Sequence, residues 1–197
     1  MKSEIRNHWS GKVWHAFGTS MTSIEYGKYV RVVTELSGLI TTNLGIPGGN
    51  MTSDILNAIK ASPSCGVDLV TVEGGVNDWA NNIPLGEFGD TEPATYYGAL
   101  YQAFEYLTKC TDSRVVSITM HGDRSFESVL GGSWLENTNG VRMIQFNEAL
   151  REMSAIYSVP CILVAEESGL NEGNYNKYII DQIHHNELGG KVVGEYV

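Results

Sequence analysis

The chain has 197 residues, 42% of them hydrophobic and 18% charged, with a net charge of −10 and a pI near 4.9. That length fits one domain with a sizeable core, and the acidic balance without a Lys/Arg cluster excludes nucleic acid and anionic membrane surfaces as partners. Cys65, Cys110 and Cys161 make an odd count with no CxxC spacing, so they read as free thiols in or near the core. The N-terminal MKSEIRNHWSGK has no apolar signal core, and no run approaches the roughly 18 apolar residues that span a bilayer. The expectation is a soluble, cytoplasmic chain without membrane insertion; the alternative is an excised domain of a secreted or phage protein.

The first apolar run, KVWHAFG (12–18), reads as a strand that breaks into Gly18-Thr19-Ser20-Met21-Thr22. A helical segment over 24–36, with Ile24, Tyr29, Val33 and Leu36 on one face, stops at Gly38. LITTNLG (39–45) is the second strand, followed by Pro47-Gly48-Gly49-Asn50 and a helix over 53–61 that opens on Ser53-Asp54 and ends before Pro63. VDLVTVEGG (67–75) is the third strand and leads into Gly75-Val76-Asn77-Asp78-Trp79. Tyr97, Leu100, Tyr101, Phe104 and Leu107 then follow the i, i+3, i+4, i+7 spacing of an amphipathic helix. RVVSITM (114–120) and PCILVAEESG (160–169) are the last two strands, with helices over 141–157 and 187–196. The last three strands are dense in Val, Ile and Leu rather than alternating, as parallel strands covered on both faces should be. Strands alternating with helices, no repeat and no linker predict one doubly wound α/β domain over 1–197, with long loops at 79–94 and 121–139.

Open parallel sheets bind ligands beyond the carboxyl ends of their strands, so the residues delivered there carry the functional reading. Taken singly, Gly-Thr-Ser and Gly-Gly-Val-Asn-Asp are what turns and helix caps contain. Asp181 and His184, three apart in DQIHHN, sit on one side of a turn, close enough for a carboxylate to hold a ring N–H; a surface cap is the bland alternative. No Cys/His ligand spacing supports a metal site, and neither a P-loop nor GxGxxG follows the first strand, so no metal and no cofactor are expected.

Taken together, FGTSMT (17–22), NLGIPGG (43–49), GVND (75–78) and DQIHHNELGG (181–190) resemble, in order and position, the four blocks of the SGNH hydrolases, the GDSL-like esterase/lipase superfamily. The resemblance spans residues 12–190. It implies a three-layer α/β/α sandwich on a five-stranded parallel, flavodoxin-like sheet. It also implies Ser20 as nucleophile, His184 as its base and Asp181 as the group that orients the base, with His185 as a fallback base. An oxyanion hole would form from the Ser20 N–H, the Gly48 N–H and the Asn77 amide, with Gly49 the alternative glycine and Asp78 bracing the loop. One position departs: Thr19 stands where the family has the aspartate of Gly-Asp-Ser. Trp79 and Trp134 are candidates to line a pocket, or else to anchor loops on the core; His121 receives no role.

The function these blocks imply is a serine esterase acting through an acyl-enzyme on a small-molecule or glycan ester, with removal of a short acyl group from a carbohydrate as the leading expectation. A lipase, thioesterase or acyltransferase of the same fold is the runner-up, and a non-catalytic glycan-binding module is the reading from a different class. Oligomeric state is not legible in the sequence.

Overall fold

Five parallel strands form the sheet of the computed structural model, which describes residues 7–62, 66–121, 136–171 and 173–197. In chain order they are β1 (Val13–Gly18), β2 (Ile40–Gly45), β3 (Leu69–Glu73), β4 (Arg114–Ile118) and β5 (Cys161–Ile162). Their spatial order is β2-β1-β3-β4-β5, so connections leave β1 toward one edge and then resume on its other side at β3. This reversal is the switch point at which a doubly wound sheet opens a crevice. The expected five-stranded, flavodoxin-like α/β sandwich is what the chain forms.

The helices cover both faces. Helices α1 (Lys28–Ser37) and α8 (Glu187–Tyr196) pack together on one side. Helices α2 (Leu56–Ala61), α4 (Tyr96–Cys110) and α5 (Met143–Ile156) lie on the other. Strand alternation divides the core: Trp14, Ala16, Leu69 and Ile118 join the α1/α8 side, while Phe17, Val70, Val72 and Val115 meet Leu100, Phe104, Phe146 and Leu150 on the other. Every residue of β3, the central strand, is buried.

Local signals account for most boundaries. Gly38 ends α1 in the left-handed region at φ 72°, its N–H bonded to Thr34 O, as the stop at Gly38 predicts. Thr95 caps α4 by accepting from the Gly98 N–H at 3.2 Å. Asn186 caps α8 by accepting from Leu188 N and Gly189 N at 2.9 and 3.0 Å.

The glycines of α8 permit an unusually close approach to α1. A Cβ on Gly190 would stand 2.1 Å from the Lys28 Cβ, and one on Gly194 would stand 2.5 Å from the Val32 Cβ.

Several expectations need correction. The first helix begins at Lys28 rather than 24, and Ile24 is 84% exposed, because residues 20–27 are taken up in turns below the end of β1. The helix expected at 53–61 starts with a π-helical turn at Met51–Ile55. The fifth strand is two residues long. Beyond it, the Thr119 hydroxyl donates to Glu166 at 2.6 Å and accepts from Ala165 N at 3.2 Å, drawing Val164–Glu167 into a short helix, α6. The short helices α3 (Val76–Ala80), which runs into the start of the loop expected at 79–94, and α7 (Tyr175–Tyr178) lack the length to show a period. Cys161 is partly buried but Cys110, the last residue of α4, is exposed; Cys65 lies outside the described residues. None of the described helices is long and apolar enough to cross a membrane.

Candidate active site

Ser20 emerges two residues past β1, in a loop whose shape is set from below by Glu73, the last residue of β3. The Glu73 carboxylate is fully buried and collects donors from that loop: Thr19 N at 2.8 Å, the Thr19 hydroxyl at 3.0 Å and the Thr22 hydroxyl at 3.0 Å. Thr19 in turn accepts from Met21 N at 3.2 Å, and Thr22 Oγ1 lies 3.0 Å from the Tyr29 hydroxyl of α1. Thr19 therefore fastens the Ser20 loop to a carboxylate on the neighbouring strand. Burial pushes the Glu73 carboxyl up to about 7 against the opposing pull of the Thr19 and Thr22 hydrogen bonds. Gly18 has no room for a side chain, since a Cβ would meet Glu73 Oε2 at 2.5 Å.

From the far end of the sequence comes a tight loop between α7 and α8. Ile180 N donates to His184 O at 2.9 Å and Asn186 N to Tyr178 O at 2.8 Å, closing the loop at its base. At its tip Gln182 takes φ 74°, a region that costs a non-glycine residue strain and recurs at functional sites. This folds Asp181 back onto His184: Oδ1 accepts from the His184 backbone N–H at 2.8 Å, and Oδ2 lies 2.7 Å from Nδ1. The opposite ring nitrogen, Nε2, lies 2.8 Å from Ser20 Oγ. Burial pushes the Asp181 carboxyl up, but the hydrogen bonds from the His184 side chain and backbone outweigh it and the net shift is down.

An unbroken hydrogen-bonded path thus runs from an ionised carboxylate through an imidazole to a serine hydroxyl, an arrangement able to take the hydroxyl proton as the oxygen attacks. His185 points elsewhere. It is fully buried, both its ring nitrogens lack partners among the described residues, and burial drives its pKa down to about 3. Its ring meets His121 edge-on at 6.1 Å.

The other two blocks converge on the same strand ends. Asn43 Nδ2 donates to Thr22 O at 2.6 Å and Ile46 N to Gly18 O at 2.8 Å, seating the glycine block against the Ser20 loop. Asn77 Nδ2 donates to Gly49 O at 3.0 Å, and its second amide hydrogen has no partner among the described residues. The Gly49 N–H is bonded to Ile46 O at 2.9 Å, whereas the N–H groups of Gly48 and Ser20 have no partner among the described residues. Of the two glycines, then, Gly48 is the one with a donor to offer, and its φ of 75° suits a residue without a Cβ. Asp78, fully buried, accepts from Met51 N at 2.9 Å and Thr52 N at 3.3 Å, so it braces the chain that follows the glycines. Burial raises its carboxyl to about 6 against those hydrogen bonds.

Trp79 is not a pocket wall. It is 2% exposed, packs in the α4/α5 core and donates from Nε1 to Val141 O at 3.0 Å, because α3 turns its side chain inward directly after Asn77. Trp134 lies outside the described residues. Two neighbours of the site carry no motif in the sequence: Glu73, and Tyr26, whose ring stacks on His184. A signal for Glu73 exists, since one acid inside an otherwise buried strand must be given partners. Among the described residues no group of three or more His, Cys, Asp or Glu side chains is placed to hold a metal ion.

Residues 14–192 match the family model described as the GDSL-like Lipase/Acylhydrolase family. No curated protein matches the chain. Among solved structures, a protein from Lactobacillus plantarum is similar at 26% identity and a TM-score of 0.82, over 96% of this chain and 95% of that one. The lipase/acylhydrolase from Enterococcus faecalis superimposes with a TM-score of 0.69 at 19% identity, over 94% of this chain and 92% of its own. A member of the lipolytic G-D-S-L family from Veillonella parvula gives 0.67 at 18% identity, over 94% and 96%. The last two are likenesses of fold.

Proposed function

On the premise that the chain belongs to the GDSL-like lipase/acylhydrolase family, we propose that it is a serine esterase working through an acyl-enzyme on Ser20, and that it removes a short acyl group such as acetyl from a carbohydrate. The observation that carries the chemistry is the 2.8 Å approach of His184 Nε2 to Ser20 Oγ, with Asp181 on the other side of the ring. Ser20 Oγ attacks the ester carbonyl while its proton passes to His184 Nε2. The resulting oxyanion is received by the Ser20 and Gly48 N–H groups and the second amide hydrogen of Asn77. Collapse expels the alcohol, which takes the proton back from His184, and leaves an ester on Ser20. Water, deprotonated by His184, then attacks that ester, and collapse releases the carboxylic acid as Ser20 Oγ takes the proton back from His184.

Support for a hydroxyl-rich alcohol comes from the rim beside Asn77. There Asn81 Nδ2 donates to Asn50 Oδ1 at 3.0 Å, and these amides can exchange hydrogen bonds with sugar hydroxyls. With Trp79 in the core, the stacking expected of it has no part in this reading. The opposite rim favours a second reading. Ile180, 61% exposed beside Asp181, and Ile24 on the Ser20 loop offer apolar surface that suits a longer acyl chain, as in a lipase or thioesterase.

A panel of acetylated sugars and of acyl esters of graded length, run with wild type and Ser20→Ala, tests both readings. The proposal expects acetate release from a sugar class, lost in the variant; preference for long chains moves the substrate to the second reading. Retained activity in Ser20→Ala overturns the mechanism. Failure of Ser20 to react with a fluorophosphonate, together with measurable sugar binding, makes the domain a glycan-binding module instead.

A further inference from the structure

We propose that Tyr26 is a positioning residue for His184, its ring laid against the face of the imidazole so that the base is held from a third side. The ring centroids are 4.2 Å apart and the planes differ by 22°, a stacked pair. Asp181 at Nδ1 and Ser20 at Nε2 fix the imidazole within its own plane, but neither stops it from tilting out of that plane about the line between the two nitrogens. A ring stacked on the face does.

Tyr26 is suited to this because it belongs to the Ser20 loop. Ser23 Oγ donates to Ser20 O at 2.9 Å and accepts from Tyr26 N at 3.3 Å. Gly27 N donates to Ser23 O at 2.6 Å, and Gly27 lies so close below that a Cβ would stand 2.2 Å from Thr22 O. Ser20 and Tyr26 are thus parts of one hydrogen-bonded unit, and that unit meets His184 both at its Nε2 and on its face. His184 reaches this unit from 164 residues away, so without the stack its link to the loop among the described residues is the single bond to Ser20.

The electrostatics point the same way. An aromatic face carries negative potential and attracts a cation over it, so it acts most strongly when the imidazole has taken the Ser20 proton. The Glu25 carboxylate beside the Tyr26 hydroxyl raises the phenol further above its ordinary range, which keeps the ring neutral. Tyr26 forms no bond to substrate in this account and exchanges no proton; it acts through His184.

The inference rests on His184 being the base, and its test separates the two. In the resting enzyme, NMR of the His184 ring protons, assigned by their loss in His184→Gln, reads the stack without any catalysis. They are expected upfield in wild type and in Tyr26→Phe, and to move downfield in Tyr26→Leu. With a small chromogenic acetyl ester, Tyr26→Phe should keep kcat, while Tyr26→Leu should lower kcat about 3–30-fold at unchanged KM. Loss of the upfield shift in Tyr26→Leu without a fall in kcat overturns the proposal. So does a rise in KM alone, which would make Tyr26 a wall for substrate, and so do His184 resonances that do not respond to residue 26. Inactivity of Ser20→Ala with an unresponsive Tyr26→Leu would defeat this inference and leave the esterase mechanism standing.

Discussion

Replacing Glu73 by glutamine removes a charge while keeping a shape, and the structure sets what should follow. Glutamine can accept the Thr19 N–H and the Thr22 hydroxyl through its carbonyl and donate its amide to the Thr19 hydroxyl oxygen, so every bond at this site has a replacement. What disappears is a carboxyl whose ionisation the interior resists. Its pKa rises from an ordinary 4.5 to about 7, which makes ionisation about 3 kcal/mol more costly in the folded than in the unfolded chain. The folded state therefore holds the Glu73 proton longer, and wild type loses stability as pH rises through that window, the reverse of a carboxylate held by a cation. Urea unfolding followed by tryptophan fluorescence, at about pH 5 and about pH 8, reads this directly, and subtracting the two proteins cancels the other titrating groups. Relative to wild type, Glu73→Gln should gain about 2–3 kcal/mol between the two conditions, since part of the penalty is already present at pH 5. If the stability difference is the same at both, Glu73 does not change its proton in that range and the argument from burial is wrong.

Removing the amide in Asn77→Ala should lower kcat about 10²–10³-fold with little change in KM, as steady-state kinetics on an acetyl ester will show. Trp79→Phe should cost about 1–3 kcal/mol in urea unfolding through a partly emptied core and a lost bond to Val141, yet leave KM for acetylated sugars unchanged. His185 is held neutral by burial, at about 3 instead of 6.5, so its stabilising contribution is present above pH 6.5 and is lost as pH falls and the unfolded chain takes the proton. In His185→Leu the acid-side decline of stability with pH should be shallower than in wild type.

The parts of the molecule legible from sequence are those governed by short-range rules. Short apolar runs marked all five strands, and the helices over Tyr96–Cys110 and Glu187–Tyr196 showed themselves through their place in the alternation, the first through its spacing as well. Asp181 and His184 could be paired in advance because they stand three positions apart. His185 stayed open as a fallback base until the fold buried it away from Ser20.

What escaped depends on groups far apart in the chain. The π-helical turn at Met51 depends on Asp78, and the early end of β5 depends on Thr119 capturing Ala165 and Glu166. Trp79 looked available because it follows Asn77, but the five-residue helix that presents Asn77 outward turns the next side chains in. Glu73 and Tyr26 were hidden for the same reason: the acid's partners sit 51 and 54 residues away, and the tyrosine's only meaning is the histidine it covers.

The seam between α1 and α8 works as a calliper on the active site. One arm, α1, begins eight residues after Ser20; the other, α8, begins three residues after His184. With Gly190 and Gly194 the two backbones meet almost without side chains between them, so the jaws are shut to the limit. A side chain wedged into this seam would open the gap between the serine and the imidazole. On heating, slackening at this seam should extinguish turnover while the sheet is still intact, making activity a more sensitive thermometer of this joint than any measure of overall unfolding.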